Sequence, residues 1–567
     1  MKQIKSLTAL LLAAAMLSGC AGTAPAAPES SSAPEAETEQ TQQEFTEILF
    51  DGDTVLVAGE AAGTDPAQAV YLSHDIIYYE DRDTYESGNA YGEGTAEERH
   101  TAEAAAGHTV VNITAPGSYR LQGSLALGQV RVDLGEEAAE DPTAVVNLLL
   151  DGVDITCEVA PALLFLNVYE CDNGWSTETA SAEVDTAAAG ANLVIADGST
   201  NTLNGSHVAR IYKDGGEEKK LWKQDGAVYS YMSMNVNGQE AGTGVLNINA
   251  DNEGMDTELH LTVNGGNVNI RSGNDGINTN EDGVSVTTIN GGSLHIIAGL
   301  GAEGDGVDSN GWLVINGGTV IAASNPAADA GLDSDMGSYV NGGTVVALGS
   351  TMDWAESDSE QVTLNLQFAQ YEASDSAIII TDEQDGVVFA YDPSEDEVVG
   401  ENIRQFMGAV ISSPALQQGE TYRVYMGGTL QGTEQAGVYE AASVTGFADA
   451  VLQQYTGTDV RRGPGGMMGG RPGGFERGER PEGFEPPEGF EPPEGFEPGE
   501  RKEPPEGFER GERPELPEGV ELPEDFKPGE WPGEMPANDG TITEVEASTA
   551  FFMQDKVNHF SGVTAAE

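Results

Sequence analysis

Basic residues are scarce in this sequence. Lys and Arg number 25 against 95 Asp and Glu, a formal net charge of −70 over 567 residues. That imbalance repels nucleic acid and anionic membrane surfaces, repels polyanions unless a cation bridges them, and attracts multivalent cations. Cysteine is nearly absent, at three residues. Cys157 and Cys171 are free to pair in an oxidising setting, but two cysteines make no disulfide framework, so a bridge is left open. Beyond the first twenty residues no apolar run is long enough to cross a bilayer. Helical periodicity is missing too, which excludes a helical bundle and leaves short, evenly punctuated strands.

The first twenty residues are a targeting segment. Lys2 and Lys5 form a charged end, residues 7–17 an apolar run, and Leu17-Ser18-Gly19-Cys20 closes it. The pattern resembles a bacterial lipoprotein signal, which implies cleavage before Cys20, acylation of its sulfur and a lipid-anchored protein on the extracellular side of the membrane. The anchor is then the only expected membrane contact. Residues 21–44, rich in Ala, Pro, Ser and Glu, follow as a disordered linker.

What the chain has in abundance is repetition. Asn264-Gly265-Gly266 returns as Asn290-Gly291-Gly292, Asn316-Gly317-Gly318 and Asn341-Gly342-Gly343, at spacings of 26, 26 and 25 residues. Each is followed by alternating apolar residues. A second phrase, glycine-apolar-Asp/Asn-Ser/Thr, lies between them at Gly254, Gly276, Gly306 and Gly331. A fixed period with two turn-and-strand phrases marks a solenoid, in which each repeat buries its apolar face only by stacking on its neighbours. Asn-Gly-Gly supplies the positive φ of a tight corner, and the β-branched run after it fits a strand. The expected fold is all-β: a parallel β-helix over residues 109–350, followed by a small antiparallel β domain over 351–460.

Residues 45–108 are weakly patterned, with strands expected at Ile48-Leu49-Phe50 and Ile76-Ile77-Tyr78-Tyr79. Residues 461–540 form a low-complexity tract whose Gly-Phe pairs recur at Gly483, Gly489, Gly495 and Gly507. Proline, glycine and glutamate at that density build no core, so a disordered insert is expected, with an unidentified protein partner. Residues 541–567 then return as a strand of the C-terminal domain, which makes the tract a loop rather than a tail.

The chemistry lies in the acids of the second phrase. Aligning its glycines stacks Asp256, Asn278, Asp308 and Asp333 two positions later, and Glu258, Asn280, Asn310 and Asp335 four positions later. Asp251 and Glu253, Asp275, Glu303 and Asp305, and Asp329 stand just before the glycines. Met255, Ile277, Val307 and Leu332 alternate with these acids and are expected to point inward, leaving carboxylate ladders on one outer edge. Carboxylates at strand spacing repel one another. Ca²⁺, which takes six to eight oxygens from carboxylates, amides and water, cancels that repulsion. The same residues also serve as plain turn formers. Their recurrence in four repeats, with further acids alongside, favours metal.

No catalytic residue is assigned. Between Lys223 and Arg404 the lone Lys or Arg is Arg271, the one candidate base of that kind for a lyase acting beside calcium. Acids abound without marking a specific hydrolytic pair. His260 and His295 lack metal-ligand spacing and read as packed or solvated. Trp312 and Tyr339, with Tyr229, Tyr231 and Trp222, are the aromatic candidates for a sugar platform, though each also suits packing; Arg271 joins Trp312 and Tyr339 as a weak carbohydrate contact.

These motifs, together with Gly117-Ser118-Tyr119-Arg120-Leu121-Gln122-Gly123, Asp197-Gly198-Ser199-Thr200-Asn201-Thr202-Leu203 and Asp225-Gly226-Ala227-Val228-Tyr229-Ser230, resemble the bacterial calcium-binding parallel β-helix family of clostridial polysaccharide-binding type, the "carbohydrate-binding domain-containing" proteins. The resemblance implies a right-handed β-helix with bound Ca²⁺, related in fold to pectate lyases, and binding of acidic plant polysaccharide (polygalacturonate) or cellulose without established catalysis. Calcium roles carry over to the Asp and Glu positions named above. The repeat at Gly276 departs from the pattern, with Asn278 and Asn280 in place of acids. The expected function is calcium-dependent polysaccharide binding at the cell surface; a pectate-lyase-like enzyme and a non-catalytic adhesin or scaffold are the alternatives.

Overall fold

Short β-rich segments separated by glycine turns build three stacks of strands. The computed structural model describes residues 45–52, 54–78, 100–172, 176–212, 221–326, 329–350, 354–400, 402, 404–459 and 542–566. The expected signal peptide with Cys20, the expected linker and the expected disordered insert at 461–540 lie outside the described residues. Residues 45–567 form one compact unit. It is all-β; among the described residues the one α-helix is Ala102–Ala106.

The first stack pairs Thr109–Ile113, Gly128–Asp133, Leu163–Asn167, Gly226–Ser230, Glu253–Thr257, Ile277–Thr279 and Val307–Ser309, each parallel to the next. The second runs through Gly117–Leu125, Val146–Thr156, Ala191–Ile195, Met234–Gly238, Leu261–Val263, Val286–Ile289, Trp312–Ile315 and Gly337–Val340. The third leaves the far half of Val146–Thr156 and continues through Thr200–Gly205, Val245–Ala250, Asn267–Ser272, Ser293–Ile297, Thr319–Ala323 and Thr344–Gly349. All these pairings are parallel, and each strand's neighbour belongs to the next repeat. Val208–Tyr212 pairs antiparallel with Leu221–Gln224, apart from these stacks.

The sequence period becomes register. Val268 lies opposite Leu294, Leu294 opposite Val320, and Val320 opposite Val345. The second glycine of each Asn-Gly-Gly takes positive φ: 92° at Gly266, 84° at Gly292, 83° at Gly318 and 87° at Gly343. A Cβ on Gly292 would sit 2.5 Å from the Gly266 carbonyl oxygen, so both conformation and clearance demand glycine. Met255, Ile277, Val307 and Leu332 are buried in one continuous core shared by all three stacks. Each such side chain contributes about 1.5–3 kcal/mol of burial free energy.

At the N-terminal end, Thr46–Asp51 adds in parallel to Gly117–Leu125, and Val70–Ser73 adds antiparallel to Thr109–Ile113. The strand expected at residues 76–79 is absent from the described part of that segment: residues 74–78 carry no strand. The exposed edge of Thr109–Ile113 is taken by Val70–Ser73 instead, while Ile76 and Tyr78 bury their side chains in the core.

A second core packs Leu364, Leu366, Phe368, Ile378, Ile380, Phe406, Ile411, Phe551 and Phe560 of the C-terminal segment against Ile297, Ile321 and Val346 of the third stack. That segment joins the repeats through Phe406–Ser412, antiparallel to Thr344–Gly349. Most of its pairings are antiparallel, but Thr363–Glu372 runs parallel to Val557–Ala565. Val451–Asp459 pairs with both Ile542–Ser548 and Val557–Ala565, so the strands on either side of the 461–540 tract are hydrogen-bonded to each other.

Candidate metal centre

Along the first stack Asp256 lies opposite Asn278, and Asn278 opposite Asp308. The Val307–Leu332 bridge and the Ser309 amide, which donates to the Asp333 carbonyl oxygen at 3.2 Å, bring Asp333 in as the next rung. Toward the N-terminus Tyr229 occupies the rung before Asp256. Glu253, Asp275 and Asp305, each just before its glycine, form a neighbouring column, and Gly226 lies opposite Glu253, which puts Asp225 one residue before that column.

These acids do not stand on an outer edge, as strand alternation alone implies. Asp256 is 0%, Glu253 2% and Asp275 8% exposed. Neighbouring polar side chains close over them. Asn280 Nδ2 donates to Asp256 Oδ1 at 2.6 Å, and Asn278 Nδ2 donates to Glu253 Oε1 at 3.2 Å. The fully buried Tyr229 hydroxyl donates to Glu258 Oε1 at 2.7 Å.

Asp225, Glu253 and Asp256 converge, each offering a carboxylate oxygen within 4.8 Å of the others, and all three are buried. Burial, followed by the charges of Asp256, Asp225 and Asp275, pushes the Glu253 carboxyl well above the usual carboxylate range. Glu253 Oε2 and Asn278 Oδ1 are buried without a hydrogen-bond partner. An unsatisfied buried acceptor costs about 1–3 kcal/mol, more for a charged one. Three carboxylates and an amide oxygen, with acceptors unused, are the donor set a hard divalent cation takes. The residues therefore fit calcium.

A second group begins in the next repeat. Asp275 Oδ1 accepts the Asp305 amide at 2.7 Å, and Asp329 Oδ2 accepts the Gly304 amide at 3.0 Å. Burial raises Asp275 to about 6, with Asp329, Asp333 and Glu303 adding to the rise. Burial and then Asp333 raise Asp305 to about 9, while burial and then Asp275 raise Asp308 to about 8. This group grades outward: Asp308 and Asp333 are half-buried, whereas Glu303 and Asp335 are exposed.

Other candidates are placed elsewhere. Asp251 is exposed and accepts from Ser206 Oγ at 2.6 Å. Arg271 Nη2 donates to the Glu397 carbonyl oxygen at 2.9 Å, reaching the C-terminal segment. Trp312 is 9% exposed and packs with Val286 and Val314 beneath Ala180, Ala182, Val184 and Tyr339; its ring faces protein. His260 is buried between the Val286 amide and Asp172, and His295 between Ser293 and Asp396. Both histidines are thus committed to packing contacts. Asp225 was not among the sequence candidates: Gly226 pairs with Glu253 rather than with Gly254, so alignment of the glycines does not bring Asp225 to the Glu253 position. Cys157 and Cys171 are both free thiols.

Known proteins supply a comparison at this point. Residues 107–384 match the family model described as "Carbohydrate-binding domain-containing protein". That span contains every acid of both groups. None of the curated proteins matches the chain. Among solved structures, the polysaccharide lyase-like protein from C. thermocellum, a gadolinium derivative, is similar at 19% identity and a TM-score of 0.30, covering 53% of this chain and 93% of that one.

Proposed function

We propose that the protein is a non-catalytic, calcium-dependent polysaccharide-binding lipoprotein of the cell surface, its three stacks wound as a right-handed parallel β-helix. The match of residues 107–384 to a carbohydrate-binding family carries this reading, and the buried acids supply its chemistry. Asp225, Glu253 and Asp256 would hold one Ca²⁺ away from solvent, in a stabilising role. Asp275, Asp305 and Asp308, with Asp333 toward the rim, would hold another where coordination positions remain open to ligand.

Bound calcium supplies the positive charge that a protein of net charge −70 otherwise lacks for meeting a uronate carboxylate. The protein's own side chains orient the site: Asn278 and Asn280 fix the carboxylates of Glu253 and Asp256 by donating to one oxygen of each. With Arg271 engaged at Glu397, no observation favours the lyase alternative. The test is retention on immobilised polygalacturonate in calcium and in chelator, with ultraviolet absorbance followed for unsaturated product. Calcium-dependent retention without product supports the proposal. Equal retention in chelator, no retention, or product release contradicts it.

A further inference from the structure

The four Asn-Gly-Gly turns place their asparagines in one line, and that line is hydrogen-bonded along its length. Asn264 Nδ2 donates to Asn237 Oδ1 at 3.0 Å, Asn290 to Asn264 at 2.9 Å, Asn316 to Asn290 at 3.0 Å and Asn341 to Asn316 at 3.1 Å. Asn264, Asn290 and Asn316 are exposed. A primary amide has two N–H donors and two acceptor lone pairs. The ladder engages one donor of each asparagine from Asn264 onward, leaving a second N–H with no acceptor among the described residues at the exposed rungs Asn264, Asn290 and Asn316. The rungs repeat at the strand spacing of about 4.8 Å.

This ladder forms one side of a groove of about 670 Å³, within the range of specific ligand sites. Residues 182–187 form the opposite wall, which is built rather than loose. Ala182 and Val184 pack on Val286, Trp312 and Val314. Thr186 Oγ1 lies 2.8 Å from Asn235 Oδ1 and 2.7 Å from Thr262 Oγ1, and the Asn235 amide returns a bond to the Thr186 carbonyl oxygen at 2.8 Å. Glu183 and Asp185 stand exposed on that wall. Among the described residues lining the groove, none is Lys, Arg or His.

We infer that this groove is a second glycan-binding site, independent of calcium, for a neutral linear polysaccharide. Each hydroxyl of such a chain is both donor and acceptor. It takes the second amide N–H of a ladder rung on one side and donates to Glu183 or Asp185 on the other. A polyanion is repelled by those two carboxylates, so the groove's preference is opposite to that of the calcium-bearing stack. The row of amides replaces the aromatic platform, and Trp312 serves as the support of the wall. The inference rests on the polysaccharide-binding reading but uses none of its metal residues.

The experiment is calorimetric titration of the full protein, in chelator, with cellohexaose, xylohexaose and mannohexaose. At least one is expected to bind. Binding by the double variant Asn290→Ala/Asn316→Ala should be weaker by about tenfold or more. Glu183→Gln, an exposed change with little bearing on folding, should weaken binding by a smaller factor. Calcium-dependent retention of these variants on polygalacturonate should match that of the unaltered protein, which also verifies their fold. Absence of binding to all three hexaoses, or equal binding by unaltered protein and both variants, overturns the groove assignment whether or not polygalacturonate is retained. Loss of polygalacturonate binding with hexaose binding intact would instead strike the calcium reading alone.

Discussion

Asp275 accepts the backbone amide of Asp305 through Oδ1 at 2.7 Å, so a buried acid and a half-buried acid of successive repeats are tied together. Burial and mutual repulsion hold Asp275, Asp308 and Asp305 at about 6, 8 and 9, against about 3.9 for an unfolded aspartate. The folded state therefore binds more protons than the unfolded state between these limits. The stability this confers is complete below about pH 4 and is lost as pH rises through the three raised values. In chelator, the melting temperature should fall from pH 5 to pH 9; with saturating calcium the fall should shrink or reverse. Scanning calorimetry at both pH values checks this.

Glu253→Gln removes one buried carboxyl while retaining shape. With Glu253 Oε2 lacking a donor, the glutamine variant should be more stable than the parent in chelator at pH 8, by about 1–3 kcal/mol. In calcium the order should reverse, because a ligand is gone. Thermal melts of both proteins in both conditions separate these effects.

His295 Nδ1 and Asp396 Oδ2 lie 2.7 Å apart, with Asp396 1% exposed. Asp396 Oδ1 also accepts the amides of Val398 and Val399. The pair joins the repeats to the C-terminal segment. His295→Ala leaves Asp396 buried without its ring partner and should cost about 3–5 kcal/mol, measured by urea denaturation. A loss under 1 kcal/mol would mean that the pair contributes little to holding the two parts together.

Gly292→Ala tests the turn. At φ of 84° and with a Cβ contact of 2.5 Å to backbone, alanine should destabilise by more than about 1 kcal/mol. Gly52→Ala, at φ of 62° with open space around it, should cost less. Comparing the two by denaturation isolates the steric part.

The repeats were legible because a turn that needs glycine and a strand that needs β-branched residues recur at fixed spacing; alignment of Asp256, Asn278 and Asp308 became register directly. The N-terminal repeats have longer, irregular turns, and Gly226 pairs one residue out of step with Gly254, which hid Asp225 from the same alignment. Burial of the acids was not legible either. Alternation says which face a side chain takes, and the cover over that face comes from Tyr229, Asn278 and Asn280 in other repeats. The His295–Asp396 pair spans 101 residues, and no local pattern encodes it. The parallel pairing of Thr363–Glu372 with Val557–Ala565 was equally hidden, because the tract at 461–540 separates the two strands in the chain. Trp312 suits either a weak sugar contact or packing from the sequence; its neighbours Val286 and Val314 make it a support.

The central claim is that the buried acids hold calcium, and calorimetric titration of Ca²⁺ into chelator-treated protein at pH 7 tests it most directly. The account predicts saturable binding accompanied by proton release, visible as heat that varies with buffer ionisation enthalpy, because Asp305 and Asp308 at about 9 and 8 must lose protons to ligate. It also predicts weaker binding by Glu253→Gln. Absence of saturable calcium binding, or binding unchanged by Glu253→Gln and without proton release, would contradict it.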